Sequence, residues 1–230
     1  MIDIHSHIIP GVDDGSPDMK SSLVLVRNMA EQGVTDVICT PHYRKPYNCT
    51  VEEITKRFNE LKAAVKEQGI PVNLYLGQEI YCRRGEYKEL ISSGKVMPLN
   101  GSKFILLEFD FEVYSDIADV VYEVKAMGYQ PIVAHIERYS YMTDEDVFEI
   151  KKVGGLIQVN ASSVVGSVGR RIKKTIKKLY REGFVDFVAS DVHEGRANDL
   201  LKAYEYVKRK FGEDAAEVTF NVNAKRILKG

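Results

Sequence analysis

Short apolar runs alternate along the chain with longer amphipathic stretches, one pair every ~25–40 residues, which is the mark of βα units. The runs are Met1–His5, Asp36–Thr40, Val72–Gln78, Phe104–Phe109, Pro131–His135, Leu156–Asn160 and Val185–Ser190. Helical periodicity fills the gaps between them. Ser16-Pro17 reads as a cap with proline in the first turn, opening a helix to about Gln32 that Gly33 closes. Thr50 followed by Glu53 is a capping box, and its helix is predicted to run to about Gln68 before Gly69. Further helices are expected near Gly85–Ser93, Ser115–Met127, Asp144–Val153, Arg170–Arg181 and Asn198–Phe211, with a short last one about Ala224–Leu228. Seven such units argue for a parallel sheet closed, or nearly closed, into a barrel; a doubly wound open sheet is the alternative. No stretch reads as a linker, so residues 1–230 are expected to form one domain.

The polar residues favour the barrel. In that fold the carboxyl ends of all strands converge on one face. The five histidines, His5, His7, His42, His135 and His193, all follow or end an apolar run, and Glu79, Glu108 and Asp191 take the same position. A lone buried histidine is ordinarily a hydrogen-bonded core residue, but five in one such place, with carboxylates among them, are what a metal site needs. Residues two apart on an extended segment point the same way, so His5-Ser-His7 can turn both imidazoles to one ion, and Asp191-Val-His193 repeats the spacing. With Asp14 from the loop Gly11-Val-Asp-Asp-Gly15 there are nine candidate ligands. Asp13 competes with Asp14 for that role, and either could simply form the turn. One ion takes about four to six ligands, so the set implies two or three ions sharing carboxylates. Without cysteine, the ligation leans toward manganese, iron or zinc in an open catalytic centre. Such a centre generates hydroxide near neutral pH and clamps phosphate oxygens. Arg138, in Ala-His-Ile-Glu-Arg, and Arg196, in His-Glu-Gly-Arg, are placed to hold the anion, with salt bridges as their plainer reading. Asp191 or a histidine would protonate the leaving oxygen.

Composition removes other classes. Lys+Arg 32 against Asp+Glu 33 leaves a formal charge of −1, without the one-sign field of a general nucleic-acid binder. No apolar run reaches the ~18–20 residues of a membrane helix, and the start lacks a signal-peptide pattern. Cys39, Cys49 and Cys82 make no disulfide framework, so a cytoplasmic setting is expected, in which the triplets at Asn48 and Asn160 carry no glycan. Arg170–Arg181 holds seven basic residues with Ile172, Ile176 and Leu179 on one stripe. It reads as a barrel helix with a solvated basic face, or as a docking face for an acidic phosphorylated tail.

The motifs His5-Ser-His7, Asp13-Asp-Gly15, Thr40-Pro-His42, Gly77-Gln-Glu79, Leu107-Glu108-Phe, Ala134-His135-Ile-Glu-Arg138 and Ser190-Asp191-Val-His193 resemble those of the polymerase-and-histidinol-phosphatase (PHP) superfamily. The match is best with the bacterial manganese-dependent protein-tyrosine phosphatases of capsule and exopolysaccharide operons, and it covers essentially the whole chain. The resemblance implies a distorted (β/α)7 TIM-like PHP barrel with a trinuclear centre. His5 and His7 would hold one ion with Asp191 and a bridging glutamate. Glu79, Glu108 and His135 would hold the second, and Asp14, His42 and His193 the third. Arg138 and Arg196 match positions that engage phosphate, and Ile136 stands where relatives often have proline. The implied partner is a phosphotyrosine protein, a bacterial tyrosine autokinase whose tail controls polysaccharide export; no nucleic acid and no membrane insertion are implied, and oligomeric state stays open. A small-molecule phosphatase such as a histidinol-phosphate phosphatase is the alternative sharing the chemistry, and a non-catalytic metal-binding, kinase-docking regulator the alternative that does not.

Overall fold

The computed structural model describes residues 1–47, 49–83 and 85–229; Asn48 of the first glycosylation triplet lies outside them. The chain opens with β1 (Ile2–Ser6), buried throughout. Next comes α1 (Met19–Glu31), whose cap is Asp18 and not the expected Ser16: the Asp18 carboxylate accepts from Ser21 N–H at 2.8 Å. Ser16 instead bridges to Pro10 and hydrogen-bonds Ser22 through its hydroxyl. The aspartate wins because its extended backbone aims the carboxylate at the first free N–H groups of the helix.

Two of the predicted runs are each followed, across a two-residue interruption, by a short strand that lies beyond the predicted bounds. β2 (Asp36–Cys39) is separated from β3 (His42–Tyr43) by Thr40-Pro41, and proline has no N–H for a ladder. After α2 (Val51–Glu67), which starts at the expected Thr50/Glu53 capping box, β4 (Asn73–Leu76) is separated from β5 (Glu79–Tyr81) by Gly77-Gln78. The paths nevertheless stay paired across both breaks: Gly77 N–H donates to Cys39 O at 2.9 Å and Glu79 N–H to Pro41 O at 3.2 Å. A side chain at Gly77 would meet Leu99 Cδ2 at 2.7 Å, so the crossing needs glycine.

The remaining elements are α3 (Tyr87–Ser92), β6 (Phe104–Glu108), α4 (Ile117–Ala126), β7 (Gln130–Val133), α5 (Asp144–Lys152), β8 (Leu156–Asn160), α6 (Ala161–Val165), α7 (Arg170–Arg181), β9 (Phe187–Ala189), α8 (Leu200–Phe211), α9 (Glu213–Glu217) and α10 (Asn223–Leu228). A π turn, Val218–Val222, joins the last two helices; it, α6 and α9 were not expected from the sequence. All strand pairs are parallel, in the orders β1-β2-β4 and β3-β5-β6-β7-β8-β9. The ring meets itself where the chain leaving β9 runs beside β1: Asp191 N–H donates to His5 O at 3.0 Å and His7 N–H to Val192 O at 3.1 Å. The result is a distorted seven-stranded (β/α) barrel.

Alternation along the strands sorts two apolar clusters. Phe104 and Leu106 join Ile38, Ile132 and Phe187 inside the ring, with Ala224 and Ile227 of α10 packed on the same cluster. Ile105 and Leu107 belong to the larger layer between sheet and helices. Glu108 is next on the face of Phe104 and Leu106, so the same alternation that builds the inner core ends on a carboxylate. Among the described residues no helix is long and apolar enough to cross a membrane.

Candidate metal centre

All nine candidate ligands gather at the carboxyl ends of the strands. His5 lies in β1, His42 and Glu79 in β3 and β5, and Glu108 ends β6, while His7, His135, Asp191 and His193 come just after strands. Three groups have donor atoms all within 4.8 Å of one another: His7, Asp14, His42 and His193; His5, His7 and Glu79; His42, Glu79 and Glu108. Asp191 Oδ1 joins them at 3.6 Å from His5 Nε2 and 3.5 Å from His7 Nε2. His135 enters through Nε2, 2.9 Å from Glu79 Oε1 and 3.9 Å from Glu108 Oε1. Glu79 sits between all these groups, and His42 faces two of them, Nδ1 toward Glu79 and Nε2 toward Asp14.

The hydrogen bonds behind the rings decide which nitrogen carries the proton. His5 Nδ1 donates to Gln158 Oε1 at 3.2 Å, His7 Nδ1 to Asp13 Oδ2 at 2.7 Å, and His193 Nδ1 to the Asp191 carbonyl at 2.9 Å. Each such bond leaves Nε2 as a lone pair turned into the cluster, the form in which imidazole ligates metal. In that tautomer His5 Nε2 and His7 Nε2, 3.0 Å apart, both face the cluster. Glu79 Oε2 is buried within 3.4 Å of His5, His7 and His42 nitrogens, yet makes no well-aligned hydrogen bond, and His42 Nδ1 and His135 Nδ1 are likewise unbonded. Buried polar atoms are seldom left this way. A nitrogen–oxygen donor set converging on unbonded atoms fits divalent cations.

Electrostatics agree. Burial, reinforced by the Glu79 charge, pushes the Glu108 carboxyl up. Burial would raise Glu79 as well, but the surrounding imidazoles, His5 first, hold it well below the usual carboxylate range. Burial together with His7 lowers His193 to about 4. Against the cost of burial, the neighbouring carboxylates draw His5, His7 and His42 toward the protonated form, while burial holds His135 and His193 below the ordinary imidazole value; bound cations would supply the countercharge in place of those protons.

The geometry also separates the two loop aspartates. Asp13 is turned inward: Oδ2 accepts from His7 Nδ1 and from the His42 N–H at 3.0 Å, and Oδ1 accepts from Gly15 N–H at 3.0 Å. Asp14 points its Oδ1 to His42 Nε2 at 3.3 Å and His193 Nε2 at 3.6 Å. Asp13 therefore backs His7 and His42, whereas Asp14 turns its carboxylate to the face of the cluster.

Around this cluster lies a second set of residues. Gln158 Nε2 donates to Asn160 Oδ1, and Asn160 Nδ2 donates to Asp191 Oδ2, each at 2.8 Å, which ties His5 to Asp191 through β8. Arg138 Nη1 lies 3.3 Å from Asp191 Oδ2, and its guanidinium rests 4.1 Å above the Phe111 ring. Arg196 stands farther out, 3.9 Å from the same oxygen and half exposed. With Oδ1 among imidazoles and Oδ2 accepting from Asn160 and Arg138, Asp191 is held ionised, which suits a ligand and not a proton donor. Both arginines line an open cavity of about 600 Å³ that also includes Phe111 and Val168. Sequence reasoning missed Gln158 and Asn160, although two alternate polar residues in the apolar run Leu-Ile-Gln-Val-Asn were a signal. It also missed Arg44, whose guanidinium lies 3.3 Å from Glu108 Oε2 and 3.6 Å from Asp14 Oδ2.

Comparison with known proteins gives a consistent picture. A family model described as capsular polysaccharide synthesis, CpsB/CapC, matches residues 1–229. The tyrosine-protein phosphatase CpsB of Streptococcus agalactiae is 35% identical over 240 residues, covering 100% of this chain and 98% of that one. The putative tyrosine-protein phosphatase CapC of Staphylococcus aureus is 34% identical over 199 residues, 84% of this chain and 77% of its own. A solved structure from the work on YwqE of Bacillus subtilis and CpsB of Streptococcus pneumoniae, described as unique metal-dependent tyrosine phosphatases, superposes with a TM-score of 0.89. It is 29% identical and covers 94% of this chain and 90% of that one.

Proposed function

This chain belongs to the capsular polysaccharide synthesis CpsB/CapC family, and from that premise we propose that it is a metal-dependent tyrosine-protein phosphatase. Its substrate in this reading is a phosphotyrosine segment of a bacterial tyrosine kinase that governs polysaccharide export, in the cytoplasm. The observation that carries the reading is the convergence of imidazole Nε2 atoms and the unbonded Glu79 Oε2 beside two arginines. Two or three divalent cations, manganese first and iron or zinc as alternatives, would be held by His5, His7, Asp14, His42, Glu79, Glu108, His135, Asp191 and His193. When bound, they supply Lewis acidity, lowering the pKa of a water held on them and offsetting phosphate charge.

The chain's own groups do the rest. Arg138 and Arg196 bind non-bridging phosphate oxygens; a guanidinium fork suits them, and Phe111 keeps that of Arg138 flat. Asp13 and Gln158 hold His7 and His5 in the ligating tautomer, so the centre needs no rearrangement when substrate arrives. The open cavity admits the aryl ring of a residue carried on a flexible segment. Tyrosine leaves as a phenol of pKa about 10, so its departure needs less proton assistance than that of an alkyl alcohol. This suits a site whose nearest carboxylate, Asp191, is held ionised.

The test is phosphate release from a phosphotyrosyl peptide, a phosphoseryl peptide and histidinol phosphate at equal concentration, using apoprotein reloaded with manganese, iron or zinc. Chelator-sensitive preference for the phosphotyrosyl peptide is expected. Turnover confined to histidinol phosphate would move the protein to small-molecule chemistry.

A further inference from the structure

We propose that the basic face of α7 is a docking strip for the anionic flank of a phosphotyrosyl peptide, an inference that rests on the phosphatase reading above. The strip begins at the site. Val168 and Ile172, at the head of α7, line the cavity that holds Arg138, Asp191 and Arg196. Arg171 lines the adjoining cleft with Ile136 and Glu137, on the turn that carries Arg138. From there the helix leads away from the cavity for about 18 Å at 1.5 Å per residue.

Its charge is one-sided. At 100° per residue, six of its seven cations, all but Lys173, fall within an arc of about 120°, while Ile176 and Leu179 on the other side are buried. Lys173 is committed to the Val165 carbonyl and the Tyr206 ring, and Lys178 to Asp144. Among the described residues the other five, Arg170, Arg171, Lys174, Lys177 and Arg181, have no carboxylate within 4.0 Å. The first turn holds no acidic residue and places two arginines at the positive end of the helix dipole, against what helix stability favours. The chain as a whole carries only −1, so this density is local.

An extended peptide advances about 3.3 Å per residue, so the strip matches about five or six residues flanking the phosphotyrosine in the cavity. Asp, Glu or further phosphotyrosines in that window provide the complementary charge. Continuity with the phosphate-facing arginines favours a peptide over a membrane or nucleic acid.

The test compares wild type with Arg170→Glu/Lys174→Glu/Arg181→Glu, three exposed positions outside the metal centre. Turnover is measured on a phosphotyrosyl peptide with an acidic flank, on one with a neutral flank, and on p-nitrophenyl phosphate. Binding of the acidic peptide is followed by fluorescence anisotropy across a salt series. The variant should lose about tenfold in kcat/KM and in affinity for the acidic peptide, as expected of lost electrostatic steering, with a flatter salt dependence. p-Nitrophenyl phosphate turnover and the neutral peptide should be unchanged. Equal behaviour of wild type and variant toward the acidic peptide overturns the proposal, as does a loss seen only with phosphatidylserine vesicles or an oligonucleotide. A wild type that hydrolyses no phosphotyrosyl substrate refutes the phosphatase reading instead, and the anisotropy arm still decides whether the strip binds.

Discussion

Asp13→Asn isolates the hydrogen bonds behind the metal ligands from the ligands themselves. The carboxylate serves three donors: Oδ2 takes His7 Nδ1 at 2.7 Å and His42 N–H at 3.0 Å, and Oδ1 takes Gly15 N–H at 3.0 Å. Asparagine has one acceptor oxygen. If that oxygen keeps the His7 and His42 donors, its NH2 faces the Gly15 N–H, donor against donor; if it turns over, His7 loses the bond that fixes its tautomer. A buried donor left unpaired costs about 1–3 kcal/mol. Losing the orienting partner of a metal-binding histidine typically costs about 10–100-fold in affinity, or about 1.4–2.7 kcal/mol. Asp13→Asn is therefore expected to weaken manganese binding in that range and to lower the stability of the apoprotein as well. Asp14→Asn is the comparator: its side chain is about a third exposed and touches the two histidines only through Oδ1. It should lose metal while costing the apoprotein less stability than Asp13→Asn, since its partly exposed ion pairs are screened by solvent. Competition of manganese with a chromogenic chelator, paired with urea unfolding in excess chelator, reads both quantities. Wild-type manganese affinity in Asp13→Asn, or a stability loss in Asp14→Asn equal to that in Asp13→Asn, would refute the division of labour.

Gly15→Ala places a methyl 2.0 Å from the His7 carbonyl oxygen and 2.3 Å from its Cβ. The loop must move, costing roughly 1–3 kcal/mol as in other overpacked sites, and manganese affinity should fall with it; unchanged thermal unfolding would show that the loop tolerates the displacement. Arg138→Lys removes the flat stack on Phe111 and the guanidinium fork. It should lower kcat/KM on phosphotyrosyl peptide about a hundredfold with metal content intact, and a loss under twofold would remove Arg138 from phosphate binding. Arg44→Ala deletes a cation beside two candidate ligand carboxylates, Glu108 and Asp14. Divalent-ion affinity should rise a few-fold in calorimetric titration, and weaker metal binding would mean that Arg44 instead holds those carboxylates in place. Loading the apoprotein with manganese at about a hundred times its Kd should stabilise it by about 2.7 kcal/mol, an increase of roughly 5–10 °C in Tm for a chain of this size. An unmoved Tm with binding shown by equilibrium dialysis would mean that the ions bind folded and unfolded chains alike.

Much of the architecture was legible because it is written in local pattern. The seven strand positions, the Thr50/Glu53 capping box and α7 depend on residues close in sequence, and all appear where the periodicity places them. The gathering of the histidines was legible for a different reason: parallel topology forces residues at strand ends together even when they are 188 positions apart, as His5 and His193 are. What could not be read depended on approach in space. The Ser16-Pro17 pair looks like a helix cap, but Ser16 is taken by a bridge to Pro10, and Asp18 caps instead. The close approach of Leu99 to Gly77, and the bonds that keep the strand paths paired across Thr40-Pro41 and Gly77-Gln78, are contacts in space that local pattern does not record. Arg44 shows nothing in sequence beyond its place two residues after His42; its meaning comes from Glu108, 64 residues away. Asp13 and Asp14 are indistinguishable as letters, and only the direction of each carboxylate tells them apart.

The same strand geometry explains why the two ends of the barrel differ so sharply. Along β6 the inward positions run Phe104, Leu106, Glu108, and along β7 Ile132 leads to Ala134 and then His135, each passing from apolar to polar in one step. At the apolar end Ala224 and Ile227 of α10 pack on the inner cluster, so burial there stabilises the ring without electrostatic cost. At the polar end the fold accumulates unfavourable features. His135 and Asp191 adopt left-handed backbone, φ 31° and 50°, which disfavours non-glycine residues by about 1–3 kcal/mol each. Glu79 and Glu108 are buried beside one another, and the Nε2 atoms of two imidazoles face each other at 3.0 Å. These unfavourable features lie together, in the residues that would share cations, while the hydrogen bonds from Asp13, Gln158 and Asn160 that hold them there come from the surrounding structure. A cluster over-determined by its neighbours and relieved by positive charge is therefore better described as a preorganised cation site than as a tolerated defect of the core.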